Sequence, residues 1–112
     1  MNSRKRSESM KKLIFKLDFA GKILTGEKTT TIRLSTDLSE GDVVEVYVGH
    51  VRIGKALIRK VYKRRLSELN EEEIKSDGFQ SKEDLIKSLS KIYGSKRINA
   101  DPEVYIIDFR LL

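Results

Sequence analysis

Between Val43 and Tyr62 the chain runs Val-Val-Glu-Val-Tyr-Val, turns at Gly49-His50 and continues as a longer β-type stretch. In the first run Val44, Val46 and Val48 share one parity against Val43, Glu45 and Tyr47, so one face is expected to be buried. The second run, Val51 to Tyr62, does not alternate cleanly. Val51, Ile53, Leu57 and Val61 have one parity, while Ala56, Ile58 and Tyr62 have the other. A strand with apolar side chains on both faces suits a tightly curved barrel with a helix packed outside it. Gly54 inside the run marks an expected bend or bulge.

The flanking segments supply the remaining elements. Lys12 to Leu17 reads as a short strand with Leu13, Phe15 and Leu17 on one face and Ile14 on the other. Asp18 is placed to cap a short helix from Phe19 to about Thr25, and Gly26 to stop it. Thr29 to Leu34 is rich in β-branched residues and predicts a strand. Glu40-Gly41-Asp42 forms a turn. Leu66 to Leu69 leads into a helix with Asn70 as cap and Glu73 at the capping-box position, ended by Asp77-Gly78. Ser81 to Tyr93 is the clearest helix. Ser81 and Asp84 suggest a second capping box, Leu85, Ile86, Leu89 and Ile92 form its apolar stripe, and Gly94 ends it. Glu103 to Leu111 closes the chain as a strand. The order β-α-β-β-β-α-α-β, with five to six strands and two to three helices, describes a small mixed β-barrel of the α+β class.

At 112 residues the chain fits one domain, expected over residues 11–112 behind a flexible basic tail at residues 1–10. The absence of cysteine excludes disulfides, thiol nucleophiles and zinc-thiolate sites, and a single histidine, His50, excludes a multi-histidine metal site. No metal and no cofactor is expected. No apolar run approaches the roughly 20 residues that span a bilayer, so a cytoplasmic protein without a membrane partner is expected, with a monomer favoured. The net charge of +6 favours polyanionic partners, nucleic acid first among them.

Chemistry is concentrated between Gly26 and Arg33. Gly26 admits positive φ and lets a ligand approach the backbone. Lys28 sits at a helix-to-strand junction, where its side chain can point across a barrel mouth. Along the strand Thr29, Thr31 and Arg33 share one face, and Thr30 and Ile32 the other. A hydroxyl and a guanidinium side by side suit a phosphate or a planar polar group such as a nucleobase. The plainer alternative is a threonine-rich strand with Lys28 and Arg33 in solvent.

Gly26-Glu27-Lys28-Thr29-Thr30-Thr31-Ile32-Arg33 resembles the G-x-K-x-x-x-x-R motif of the ASCH domain family, a member of the PUA-like superfamily of small barrels. The resemblance extends over the Ile23-Leu24-Thr25-Gly26 helix end, the Gly41-Asp42 turn, Leu69 with its acidic helix, the Ile92-Tyr93 helix end and the Val104–Leu111 strand. It implies a PUA-like barrel whose cleft binds RNA or a nucleoside- or nucleotide-like ligand. One ASCH branch of similar length and layout hydrolyses the acetamide of N4-acetylcytidine with a Lys, a Thr and a Glu. The resemblance carries the first two onto Lys28 and Thr31; the third falls near Asp77, a shorter carboxylate. It thereby implies, as an alternative to binding alone, a base in Lys28, a nucleophile in Thr31 and an orienting acid in Asp77. A threonine hydroxyl needs such a base, and Lys28 serves only if its pKa falls towards neutrality.

Lys55, Arg59, Lys60, Lys63, Arg64 and Arg65 form a basic run on the long strand and its exit, read either as an RNA-backbone track or as a solvated strand edge. Arg59, Lys63 and Arg64 therefore join Gly26, Lys28, Thr29, Thr31 and Arg33 as candidate ligand-binding residues. Tyr47 and Tyr62 offer rings for base stacking or for core packing. His50 is expected to be a surface histidine, Glu71 to Glu73 to be first-turn helix acids, and Lys96 and Arg97 to lie in a solvent-facing loop.

Overall fold

A computed structural model describes residues 10–112; apart from Met10, the expected N-terminal tail lies outside the described residues. Five strands form one sheet: β1 (Lys12–Phe15), β2 (Thr30–Arg33), β3 (Val43–Val48), β4 (Val51–Arg65) and β5 (Glu103–Leu111). Their order across the sheet is β1-β3-β4-β5-β2. β1 and β3 are parallel and the other pairs antiparallel, giving a mixed sheet that curls into a half-barrel. The two edge strands, β1 and β2, face each other across an open seam. Arg33 spans it by donating from Nη2 to the Ile14 carbonyl at 2.8 Å.

The mixed parity of β4 has a local cause. Register shifts leave Ile53 and Arg59 without a strand partner, one extra residue each. Each bulge swaps which parity faces inward. Ile53, Ala56, Ile58 and Val61 therefore all pack on the barrel core with Val44, Val46, Val48 and Phe109, at spacings no regular strand allows. Gly54 lies beside the first bulge, as expected from its position in the run.

The outer face is covered by helices. Besides α1 (Ala20–Leu24), they are α2 (Glu71–Ser76), α3 (Lys82–Tyr93) and α4 (Ser95–Asn99). Leu85 and Leu89 of α3, Ile74 of α2 and Ile98 of α4 bury against Ile32, Val104 and Ile106 of the sheet. The capping box of α2 is complete: Asn70 Oδ1 accepts from the Glu73 amide at 2.8 Å and Glu73 Oε1 from the Asn70 amide at 2.9 Å. At α3 only half is made, with Ser81 Oγ accepting from the Asp84 amide at 3.1 Å.

Several boundaries differ from the sequence reading. β1 ends at Phe15, and Leu17 lies in a 3-10 turn over Leu17–Phe19, exposed rather than inward-facing. Asp18 is inside that turn and makes no cap; α1 starts only at Ala20. Phe15 is buried in the barrel core and Phe19 packs against that core, so burial directs the chain through this turn. Lys96 and Arg97 belong to α4, a fourth helix that the sequence reading placed in a loop. At five residues it is too short to show a hydrophobic period. β4 runs on to Arg65 because β5 continues to pair with it as far as Glu103.

Leu85 is fully buried beneath α3, whereas Asn70 works only at a helix end. Leu85→Ala is expected to lower unfolding free energy by roughly 2–5 kcal/mol and Asn70→Ala by about 1 kcal/mol, measured by urea denaturation.

Candidate functional site

The site forms where the open seam meets the end of α2. Hydrogen bonds from Gly78 N to the Lys75 carbonyl and from Phe79 N to the Ile74 carbonyl close that helix. Gly78 makes this stop possible, with φ of 91°. A Cβ there would also lie 3.2 Å from Lys22 Cδ and 3.4 Å from Lys28 Cβ. The turn turns Asp77 and Phe79 towards Lys28. It is held from the other side by Lys22 Nζ, which donates to the Gly78 carbonyl at 2.6 Å. Thr29 N donates to the Ser76 carbonyl at 2.8 Å and fixes the start of β2 against the same turn.

Lys28 is the centre. It is 3% exposed, and its Nζ donates to Asp77 Oδ1 at 2.7 Å and to the Asp77 carbonyl at 2.9 Å. The ammonium also lies 4.8 Å from the Phe19 ring centre, 5.8 Å from Phe15 and 6.0 Å from Phe79. Three aromatic faces and one carboxylate therefore replace its water. Burial pushes the Lys28 pKa below its ordinary value; Asp77 opposes this, and the Arg33 and Lys22 charges add to it. Burial likewise pushes Asp77 up to about 6, against the pull of Lys28. Burial thus works against the charged form of each partner, and each charge is what holds the other in place.

Thr31 and Arg33 form the second polar pair. Opposite Ile107 and Tyr105 of β5, they share one sheet face, while Thr30 and Ile32 take the other. Arg33 Nε donates to Thr31 Oγ1 at 2.9 Å, and the guanidinium carbon lies 5.4 Å from the Phe15 ring centre. Lys28, Thr31, Arg33 and Asp77 all line one cavity of about 140 Å³. Phe15, Phe19, Phe79, Leu89, Ile92 and Tyr93 give it apolar walls, and Lys16 and Ser88 add polar groups.

The other candidates lie elsewhere. Gly26, Thr29 and Arg59 line a separate groove behind Lys28, with Arg59 3.7 Å from Asp108. Arg64 is held by Glu73, Nε to Oε2 at 3.0 Å. Tyr62 donates to the same carboxylate at 2.8 Å, and burial together with that bond pushes its pKa up to about 12. Lys63 lies over Tyr105, and Tyr47 under Lys12. None of Lys63, Arg64, Tyr62 and Tyr47 lines the Lys28 cavity. Among the described residues no three His, Cys, Asp or Glu side chains gather as a metal site requires, and no helix is long and apolar enough to cross a membrane.

The sequence reading missed the aromatic walls. Phe15 reads as one face of a short strand and Tyr93 only as the last residue of a helix. Only the crossing of β1, the α2 turn and α3 gathers them. Phe79 beside Asp77-Gly78 was the one local hint, since a large apolar residue directly after a helix stop packs back inward.

No family model matches the sequence, and no curated protein matches it significantly. The likeness lies in the fold. An ASCH domain from Lactobacillus crispatus superposes with a TM-score of 0.71 at 16% identity, covering 96% of this chain and 84% of that one. A protein of the DUF984 family from Enterococcus faecalis gives 0.72 at 13% identity, over 99% of this chain and 88% of its own. An ASCH protein from Zymomonas mobilis gives 0.55 at 16% identity, covering 89% and 67%. The chain shares its fold with these ASCH domains, a curled five-stranded half-barrel of the α+β class.

Removing one partner of a buried ion pair strands the other. Lys28→Met and Asp77→Asn are each expected to cost about 3 kcal/mol or more, and the double variant less than the two together. The pH dependence follows from Asp77. Its native pKa exceeds the unfolded value, so its contribution to stability is full below about 4 and lost as pH rises through about 6. Denaturation across that window is expected to show the loss in the native chain and not in Asp77→Asn.

Proposed function

We propose that the Lys28 cavity binds a single planar base, presented by a nucleoside, a nucleotide or an unpaired residue of RNA. The observation that carries this reading is the composition of the cavity: aromatic walls on several sides and two polar pairs, Lys28–Asp77 and Arg33–Thr31, facing the same space. Flat apolar walls select a ring, and fixed donors and acceptors select its edge. The volume suits one base and excludes a duplex. The net positive charge and the ASCH-type fold agree with a nucleic-acid-like ligand.

A second reading is supported by one observation, the downward push on Lys28 in a cavity that Thr31 also lines. In it Thr31 Oγ1 attacks the amide carbonyl of an N4-acylated cytidine, neutral Lys28 accepts the hydroxyl proton, and Asp77 orients Lys28. The C–N4 bond then breaks as Lys28 returns the proton to the departing cytidine nitrogen, and water hydrolyses the acyl-Thr31 ester to free the carboxylic acid. Arg33 supports charge on Thr31 Oγ1 as it loses its proton. Asp77 reaches Lys28 at 2.7 Å despite its short side chain, because the helix stop carries its backbone to the cavity.

Calorimetric titration with the common nucleosides, their monophosphates and short unstructured RNAs tests the first reading. Binding of at least one probe is expected, weakened about tenfold or more in Lys28→Ala and Thr31→Ala. Failure of all probes, or undiminished affinity in both variants, overturns it. For the second, turnover of N4-acetylcytidine followed by chromatography should fall roughly a hundredfold or more in Thr31→Ala; no turnover by the native chain rules it out.

A further inference from the structure

Of the arginines among the described residues, only Arg33 and Arg64 are partly buried. Arg64 has a carboxylate partner in Glu73. Arg33 has none: the ion pairs of the described residues join Lys11 to Asp42, Lys28 to Asp77, Arg52 to Glu45, Arg59 to Asp108 and Arg64 to Glu73. Its Nε is spent on Thr31 and its Nη2 on the Ile14 carbonyl, both neutral acceptors, leaving Nη1 without one among the described residues. The nearest carboxylate in the cavity, Asp77, is already committed to Lys28. A guanidinium drawn out of water without a counter-ion is costly, and burial accordingly disfavours its charged form. The cavity lining has three cationic side chains, Lys16, Lys28 and Arg33, against the single carboxylate of Asp77. Lys16 is exposed and has no ion-pair partner among those five pairs.

We infer that the ligand brings the missing anion: a phosphate group seats on Arg33, with Lys16 as the second cation at the cavity mouth, while the base enters between the aromatic walls. This rests on the base-binding reading above and narrows its ligand from neutral nucleosides to phosphorylated ones. Arg33 suits the role because two of its nitrogens are already fixed. Its plane is set across the seam before the ligand arrives, so little side-chain entropy is lost when a phosphate oxygen docks. The phosphate is either the terminal group of a mononucleotide or the internal linkage of an RNA strand.

Calorimetric titration of the full chain with each nucleoside, its 5′- and 3′-monophosphates and dinucleoside monophosphates separates these. In about 20 mM salt a monophosphate is expected to bind about tenfold or more tighter than its nucleoside, and the ratio to shrink at about 200 mM. Arg33→Gln should bring the ratio to about one, and Lys16→Gln should lower it part of the way. If Arg33→Gln fails to fold, because Arg33 ties the seam, Lys16→Gln and the salt series on the native chain decide the matter. A dinucleoside monophosphate matching the better monophosphate identifies an RNA linkage; one matching the nucleoside identifies a terminal phosphate. Equal affinity of nucleoside and monophosphate overturns the anion site and leaves the base pocket standing. If no probe binds, both fall.

Discussion

An ammonium and a carboxylate 2.7 Å apart, each almost sealed from water, hold the site together. Lys28 comes from the junction before β2 and Asp77 from the end of α2, so their contact joins the barrel seam to the helical layer. Lys28 also donates to the Asp77 carbonyl and so satisfies one orphan acceptor of the closing helix. Such a pair is poor value as a stabiliser, because desolvating two charges offsets most of their attraction. Its worth is positional: it fixes a lysine among three aromatic rings, which an uncompensated charge would not tolerate.

Around that contact the structure is arranged so that flexible side chains have little freedom left. Lys22 is tied to the Gly78 carbonyl, Thr29 to the Ser76 carbonyl, and Arg33 to Thr31 and Ile14. The site is thus assembled mainly by backbone acceptors and by a helix stop. A glycine at position 78, with no Cβ to press on Lys22 and Lys28, is part of that assembly as much as any charged residue.

Much of this was legible in the sequence, for reasons that differ by residue. Valines 44, 46 and 48 announce a one-faced strand because a strand's period is two and nothing interrupts it. Asn70 and Glu73 announce a helix start because both hydrogen bonds are local. Thr31 and Arg33 were paired by strand alternation and Lys28 was placed by its helix-to-strand junction, whereas Asp77, 49 positions from Lys28, was reached only through family resemblance. Gly54 announced the bulge beside it, but the one at Arg59 was not legible, since a bulge is set by both strands of a pair. Asp18 misled for the opposite reason: a good capping residue by type was overruled by the packing of Phe15 and Phe19. The tie of Arg64 to Glu73 was not legible, because Glu73 was already explained as a helix-start acid.

The seam between β1 and β2 gives the half-barrel a mouth whose rim is secured by one side chain rather than by a row of backbone bonds. The same guanidinium that lines the cavity also fastens the two edge strands, so the wall of the cavity and the tie across the seam are one side chain.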